Sequence, residues 1–213
     1  VLFRSVAQLC HPPKLQKINF TLHRGEVLGI AGLLGSGRSE LLKAIIGLES
    51  FSRGEITLNG VNISQPDYAA MLKSGVGYTP ENRKEAGIIP LLGVDENTVM
   101  TNRHKVSRRG VLNWQRIQQL TAAVMCRMTV KAANTETAIG TLSGGNQQKV
   151  VIGRSLLTNP KVLFLDEPTR GIDVGAKADV FRMMVQLSQQ GIAVVFSTSD
   201  LKEIMAVSDR ILV

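Results

Sequence analysis

The sequence predicts an α/β fold in which helices cover a parallel sheet, with antiparallel strands and a helical segment attached. From residue 144 onward, helical patterns alternate with fully apolar strands, which is typical of a parallel sheet covered on both faces. A buried strand at 26–31 leads through a glycine-rich loop into a helix at about 39–46. Segments 17–22 and 54–58 alternate polar and apolar residues, which indicates antiparallel strands.

In the first part of the chain, glycines mark the ends of the predicted elements. Arg24-Gly25 and Asn59-Gly60 are typical hairpin turns beside the antiparallel strands. Gly47 lies where a helix that starts near residue 39 needs a C-cap. A short strand at 76–79 ends at Pro80, and residues 82–141 are expected to form helices and loops, because they carry few strand signals.

The second part of the chain follows a regular order of helices and strands. Asn159-Pro160 ends the helix that begins at Gly144, and Gly191 caps the next one. The expected elements after residue 160 are a strand at 162–165, a helix at 176–190, a strand at 193–197, a helix at 201–207 and a last strand at 210–213.

Length and composition indicate one sizeable domain covering residues 1–213, with a helical subdomain at about 82–150. The chain has 213 residues, 44% of them hydrophobic, and its apolar runs are far shorter than a membrane span. Cys10 and Cys126 lie far apart and form no metal-binding pair, which fits a reducing compartment. Residues 1–5 match no predicted element and the last strand runs to Val213, so we expect a fragment of a longer chain.

Positive charge is concentrated in the middle of the sequence. The net charge is +8, and residues 82–131 hold nine Lys or Arg against three acids. Such a segment fits a surface for nucleic acid, a surface for a partner at the membrane, or a solvated helical face.

The glycine-rich loop has the pattern of a phosphate-binding P-loop. Arg38 stands in the position of the usual lysine, and Ser39 can bind magnesium through its hydroxyl. Backbone N–H groups of such a loop and the following helix N-terminus attract phosphate. The residues predicted to contact the phosphates of a nucleotide are Gly32, Leu33, Leu34, Gly35, Ser36, Gly37, Arg38, Ser39 and Glu40.

Two further motifs indicate a nucleoside triphosphatase. Leu142, Ser143, Gly144, Gly145, Asn146 and Gln147 open a helix with a hydroxyl and bare backbone N–H groups, which suit an anion. The strand at 162–165 ends in Asp166 and Glu167, which we expect to hold magnesium and to activate the attacking water. We expect this strand to lie beside the P-loop strand.

With these motifs the chain resembles the nucleotide-binding domain of an ATP-binding cassette (ABC) protein. The resemblance covers the P-loop at 32–39, the linker loop at 78–81, the signature at 142–148, the carboxylate strand at 162–167, the D-loop at 171–173 and the switch loop at 197–200. Residues 81–87 and 169–173 resemble the second cassette of two-cassette ATPases that import ribose, galactose or xylose. The implied fold is a P-loop NTPase with a RecA-like core, an antiparallel β subdomain and an α-helical subdomain.

The resemblance implies ATP and Mg²⁺ as ligands and a head-to-tail pair of cassettes. Each ATP would lie between one P-loop and the partner's signature, and Asp173 would act in the D-loop. The implied partners are a second cassette, upstream in the same polypeptide, and transmembrane permease subunits that the basic segment faces. A periplasmic sugar-binding protein acts indirectly, no nucleic acid is expected, and the implied location is the cytoplasmic face of the inner membrane.

The chain departs from the family pattern at three positions. Arg38 replaces lysine, Glu81 replaces the linker-loop glutamine and Ser199 replaces the switch histidine. Glu81 and Ser199 are still candidate catalytic residues, and Glu81 can approach magnesium. Since one lost transition-state donor costs ~10²–10³ in rate, we expect this cassette's own site to hydrolyse ATP slowly while its signature serves the partner.

Two alternatives stay open on the sequence. A non-transport ABC ATPase would use the basic segment to bind nucleic acid or the ribosome. A largely non-hydrolysing partner cassette would bind ATP and contribute only its signature.

Overall fold

The structure is a computed structural model of the chain and describes residues 2–58 and 60–213. The strands are β1 (Leu2–His11), β2 (Leu15–His23), β3 (Val27–Ala31), β4 (Arg53–Leu58), β5 (Val61–Ile63), β6 (Val76–Thr79), β7 (Ser107–Arg108), β8 (Val111–Leu112), β9 (Val162–Asp166), β10 (Ala193–Thr198) and β11 (Arg210–Leu212). The helices are α1 (Arg38–Ile46), α2 (Tyr68–Lys73), α3 (Val94–Val99), α4 (Trp114–Met128), α5 (Gly144–Leu156), α6 (Val174–Gln189) and α7 (Leu201–Val207).

The chain divides into two compact units. The first unit contains the chain up to Tyr78, together with Pro160–Pro168 and Met184–Val213. The second unit contains Thr79–Asn159 and Thr169–Met183. The second unit therefore includes the predicted helical segment at 82–150 and a separate piece that carries the D-loop.

A five-stranded sheet forms the centre of the first unit, in the order β11-β3-β10-β9-β6. Pairing is parallel between β3 and β10, between β10 and β9, and between β11 and β3. Every residue of β3, β9 and β10 is buried, as expected for strands covered on both faces. Our prediction that the carboxylate strand lies beside the P-loop strand is wrong, because β10 lies between β9 and β3.

Helix α1 packs into the main core of the first unit. Leu41, Leu42, Ile45 and Ile46 are buried there with apolar residues of both sheets. Gly47 ends the helix in the left-handed region with φ of 80°, as its sequence position predicts. Residues 32–37 connect the carboxyl end of β3 to the start of this helix.

The antiparallel sheet of the first unit has the order β2-β1-β4-β5. The predicted hairpin between β4 and β5 is confirmed by the pairing of Leu58 with Val61, although Asn59 of its turn lies outside the described residues. The predicted hairpin at Arg24-Gly25 is wrong, because this turn connects β2 to β3 in the other sheet. The true partner of β2 is β1, which the sequence analysis missed because bulges interrupt its alternation.

The second unit is mainly helical. Ile88, Val94, Ile139, Val150 and Val151 form one apolar cluster, which packs Ile88 and Ile139 against α3 and α5. A second cluster joins Val99, Val106 and Ile117. Residues 82–141 form helices and loops as predicted, with one addition: β7 and β8 make a small antiparallel ribbon.

None of the described helices combines the length and the hydropathy that crossing a membrane requires.

Candidate functional site

The glycine-rich loop between β3 and α1 adopts a conformation that its glycines make possible. Gly35 and Gly37 have φ of 81° and 96°, in the region that side chains disfavour. A Cβ on Gly32 would lie 2.4 Å from the Ser36 hydroxyl oxygen, so the loop could not curl in this way with a larger residue. The loop therefore presents backbone and the first turn of α1 to any anion above it.

Arg38 reaches from the first turn of α1 to the end of β9. Its Nη2 lies 2.9 Å from Glu167 Oε1, with 8% and 10% of the two side chains exposed. Its Nη1 is buried and has no hydrogen-bond partner among the residues that the structure describes. Since an orphaned buried donor is costly, this nitrogen is a ready contact for an incoming anion.

Burial raises the pKa of Glu167, which favours the protonated form of this carboxyl. Arg38 opposes this effect, and so does Ser199, which donates hydrogen bonds to the carboxylate from its hydroxyl and its backbone N–H. Glu167 also has φ of 46°, an uncommon conformation for a residue with a side chain. Its backbone N–H donates to the Ser197 carbonyl oxygen at 3.0 Å, which holds this conformation.

Ser39 and Asp166 form a compact set of oxygen atoms. The Ser39 hydroxyl donates to Asp166 Oδ1 at 3.0 Å, and the Ser197 hydroxyl donates to the same oxygen at 2.6 Å. Asp166 is completely buried. Sequence reasoning missed the role of Ser197 at Asp166, because that role depends on β10 lying next to β9.

These oxygen atoms suit a magnesium ion that also binds water and phosphate better than they suit a metal whose ligands all come from the protein. A group of three or more His, Cys, Asp or Glu placed for a metal is absent from the described residues. Mg²⁺ prefers one or two carboxylates together with waters and phosphate oxygens, so the Ser39 hydroxyl and Asp166 fit its requirements.

The remaining loop residues differ in their surroundings. Leu33 and Leu34 are exposed at 85% and 83%. Glu40, predicted as a contact for the nucleotide, forms an ion pair with Lys14 in the turn between β1 and β2. Lys14 and Leu15 also approach Gly37, so this turn lies against the P-loop.

In the second unit the predicted signature residues begin α5. The Ser143 hydroxyl accepts hydrogen bonds from the Asn146 side-chain amide at 3.0 Å and from its backbone N–H at 3.4 Å, as an N-cap. A Cβ on Gly145 would lie 2.4 Å from the Cβ of Ala176, so the helix start is packed closely against α6.

Glu81 and Asp173 both belong to this second unit. Glu81 forms an ion pair with Arg170, a partner that sequence reasoning missed. The Asp173 carboxylate accepts the Ala176 backbone N–H at 2.9 Å and so caps the start of α6.

The predicted site residues thus form two groups. The first unit brings together the glycine-rich loop, Asp166, Glu167 and Ser199, which can bind an anion, hold a divalent cation and polarise a water. The second unit brings the linker-loop residue Glu81 to the D-loop segment, and places the signature against α6.

Known proteins resemble this chain in sequence. The family model described as ABC transporter matches residues 15–170. An ABC transporter ATP-binding protein of Escherichia coli K12, YphE, is 64% identical over 207 residues, which are 97% of this chain and 41% of that protein.

Two further relatives have names that specify a sugar. A xylose import ATP-binding protein of Photobacterium profundum is 42% identical and is matched over 95% of this chain and 40% of its own length. A ribose import ATP-binding protein of Oceanobacillus iheyensis is 39% identical, with 92% and 40% covered. The chain therefore spans about two fifths of the length of these curated relatives.

Solved structures confirm the predicted fold class. A nucleotide-free ATP-binding cassette from an ABC transporter has a TM-score of 0.84 at 20% identity, covering 99% of this chain and 87% of that one. A dimeric cassette in a post-hydrolysis state, bound to ADP and phosphate, has a TM-score of 0.81 at 23% identity, with 98% and 93% covered. A family match over most of the sequence and the fold of these cassettes lead to one conclusion: the chain belongs to the ABC transporter family.

Proposed function

We propose that this chain binds and hydrolyses ATP with Mg²⁺ at an interface with a second cassette, and that hydrolysis powers monosaccharide import through a membrane permease. The observation that carries the first part is the cluster of a glycine-rich loop, a buried unpaired Arg38 nitrogen and the Ser39–Asp166 pair. The names of the xylose and ribose import relatives support the second part.

Residues 32–40 would contact the phosphates of ATP. Gly35 and Gly37 let the backbone close around a phosphate, and the α1 N-terminus adds a favourable field. Arg38 Nη1 would donate to a phosphate oxygen, and this contact would satisfy a donor that is now buried and unpaired.

Ser39 and Asp166 would hold the magnesium ion, with Ser197 fixing the Asp166 carboxylate. Magnesium, when bound, would supply positive charge that offsets the charge of the phosphate oxygens. Glu81 is a further candidate ligand, although it is paired with Arg170 in this structure.

Glu167 would act as the general base that orients and deprotonates the attacking water. Its buried carboxyl and raised pKa suit a proton acceptor better than an exposed carboxylate would. Arg38 and Ser199 both contact this carboxylate, so the residues that replace the family's lysine and histidine surround the base. This arrangement supports slow hydrolysis at the chain's own site.

Leu142–Gln147, together with the D-loop residue Asp173, would serve the ATP of the partner cassette. The helix start at Ser143 offers backbone N–H groups of the kind that bind phosphate. The second cassette would lie upstream in the same polypeptide, and the relatives, more than twice as long as the matched segment, leave room for it.

Other partners follow from the import relatives. The basic residues within 82–131 would face permease subunits at the cytoplasmic face of the inner membrane, and a periplasmic sugar-binding protein would act indirectly.

The test is transport by the full-length protein, assembled with its permease in proteoliposomes and offered a panel of labelled pentoses and hexoses. We expect ATP-dependent uptake of one monosaccharide, lost in the Ser143→Arg variant, because its signature could no longer serve the partner's ATP. Uptake of none of the sugars, together with ATPase activity that DNA stimulates at low salt, would instead support the nucleic-acid alternative.

A non-hydrolysing partner cassette is a second candidate, because the ion pair with Arg38 lowers the affinity of the Glu167 carboxylate for a proton. The Glu167→Gln variant separates the two candidates, since glutamine keeps the contacts but cannot accept the proton. If the chain's own site hydrolyses ATP, Glu167→Gln should lower the rate of hydrolysis at that site by ~10²–10⁴-fold. If that site does not hydrolyse ATP, the rate should not change.

A further inference from the structure

The buried guanidinium of Arg83 connects three separate segments of the second unit. It lies in a π-helical turn (Arg83–Gly87) that follows the linker loop, and 8% of the residue is exposed. Nη1 donates to the Arg170 carbonyl at 2.6 Å and Nη2 donates to the Gly171 carbonyl at 3.0 Å. Nε donates to Gln147 Oε1 at 3.3 Å. The linker loop, the D-loop segment and the signature helix therefore meet at one side chain.

Gln147 extends this connection to the start of the signature. Its Nε2 donates to the Leu142 carbonyl at 3.0 Å and to the Ile139 carbonyl at 3.3 Å. These carbonyls belong to the 3₁₀ turn and its cap, immediately before Ser143. Arg83 is thus connected to both sides of Ser143 through Gln147. Gln147 belongs to α5, which follows Ser143, and its side-chain amide binds the carbonyls of the turn that precedes Ser143.

Close packing makes this arrangement specific. A Cβ on Gly144 would lie 2.5 Å from Arg83 Nη2 and 3.0 Å from the Gly171 carbonyl oxygen. Gly171 itself has φ of 67°, which turns its carbonyl in a way that most side chains would resist. The absence of a side chain at Gly144 therefore lets the Arg83 guanidinium reach the D-loop. This requirement is independent of any contact between the Gly144 backbone and a ligand.

The three acceptors are uncharged oxygens, and burial lowers the pKa of Arg83. Burying the charged guanidinium among neutral acceptors costs free energy. If Arg83 only filled space, an apolar side chain would stabilise the unit better. Lysine could not replace Arg83, because its single ammonium group on a flexible chain cannot reach three acceptors that the planar guanidinium reaches in fixed directions.

We propose that Arg83 is a positioning residue that holds the signature and the D-loop in one fixed arrangement, so that both reach the partner cassette's ATP together. This inference rests on the proposed function for the role of the signature. Arg83 itself touches neither ATP nor magnesium in this account. Its effect should fall on the rate of the chemical step and leave nucleotide binding at the P-loop unchanged, because the P-loop belongs to the other unit.

The experiment compares Arg83→Ala and Arg83→Lys with the parent chain and with Arg182→Ala, a control at an arginine whose side chain is 72% exposed. Misplaced groups cost ~10²-fold in rate, so kcat for ATP should fall by ~10²-fold in both Arg83 variants, with an unchanged Kd for a fluorescent ATP analogue. Millimolar ethylguanidinium should restore part of kcat in Arg83→Ala and have no effect on Arg182→Ala. Restoration of kcat by lysine would overturn the proposal, because it would show that charge alone suffices.

Hydrogen exchange provides a readout that does not depend on ATPase activity. In Arg83→Ala, amides of residues 139–147 and 169–173 should exchange faster together, while those of α4 keep the parent rate. Faster exchange confined to 82–88 would overturn the proposal. If the parent chain neither binds nor hydrolyses ATP, the proposed function fails, whereas the exchange result still decides whether Arg83 holds the two segments.

Discussion

Arg38 and Glu167 form a buried ion pair, with 2.9 Å between Nη2 and Oε1, at the point where the P-loop helix meets the end of β9. The residue that replaces the family's lysine is therefore bound to the residue proposed as general base. An ATP phosphate would compete with Glu167 for this guanidinium, whose other terminal nitrogen is already without a partner. Nucleotide binding and release of the base are thereby linked through one side chain.

The first prediction concerns the pH dependence of ATP hydrolysis. Burial raises the pKa of Glu167 above the ordinary value of 4.5, and a general base works only when it is deprotonated. Activity should therefore fall, as the pH is lowered, at a pH above 4.5. The measurement is kcat/KM against pH, which reports the free enzyme.

Ser199→Ala serves as the companion variant for this profile. Because Ser199 lowers the pKa of Glu167 through its hydrogen bonds, removing its hydroxyl should move the acid limb to still higher pH. Arg182→Ala, far more exposed, should leave the limb where it is. A shift of the Ser199→Ala limb toward lower pH would show that Ser199 does not act on Glu167 as the structure indicates.

The second prediction restores the switch histidine. Ser199→His should raise kcat by up to ~10²-fold, because an imidazole can donate to the terminal phosphate in the transition state. Ser199→Gln is the matched control, since it has comparable size and no imidazole ring. An unchanged or lower kcat in Ser199→His would contradict the view that this position limits the chain's own site.

The third prediction concerns the Asp166 carboxylate. Ser197→Ala removes a 2.6 Å hydrogen bond to a completely buried carboxylate and should lower the free energy of unfolding by ~1.5–3 kcal/mol. It should also raise the magnesium concentration needed for half-maximal ATPase activity, because Asp166 would be less well oriented. Urea denaturation and a magnesium titration measure the two effects.

Ser188→Ala is the control for this prediction. Its hydroxyl donates to the Val185 carbonyl within α6, away from the carboxylates, so its loss should leave the magnesium dependence unchanged. Equal behaviour of the two serine variants would show that Ser197 has no special role at Asp166.

The fourth prediction concerns the close packing of the signature helix. In Gly145→Ala the new Cβ would lie 2.4 Å from the Ala176 Cβ, which forces α5 and the start of α6 apart. The helix propensity of alanine offsets part of the cost, so the free energy of unfolding should fall by ~1–2 kcal/mol. Gln118→Ala, on an exposed position of α4, should change it by less than ~0.5 kcal/mol in urea denaturation. A Gly145→Ala variant as stable as the parent would contradict the packing described here.

Local pattern predicted most of the secondary structure but could not predict strand order. Strand β6 and helix α7 begin and end where the sequence predicts, since Pro80 and the apolar spacing of 201–207 mark them clearly. The position of β10 between β3 and β9 has no local signal, because the order of parallel strands is decided by crossover connections and packing.

The candidate site shows the same division. The glycines, Asp166 and Glu167 were predicted from motifs whose residue types fit their chemistry. The contacts of Ser197 with Asp166 and of Arg83 with Arg170 were not predicted, because each joins residues more than thirty positions apart in sequence. Ser199 was noted as the replacement of a histidine, whereas its contact with Glu167 became evident only in the structure.

The central claim is that ATP is bound between two cassettes, and sedimentation velocity of the Glu167→Gln chain mixed with the proposed upstream cassette, with and without MgATP, tests it most directly. We expect a monomer without nucleotide and a dimer with MgATP, and we expect Ser143→Arg in the same background to bind ATP yet stay monomeric. A Glu167→Gln chain that binds MgATP and remains a monomer, or a dimer that forms equally well with the altered signature, would contradict the account.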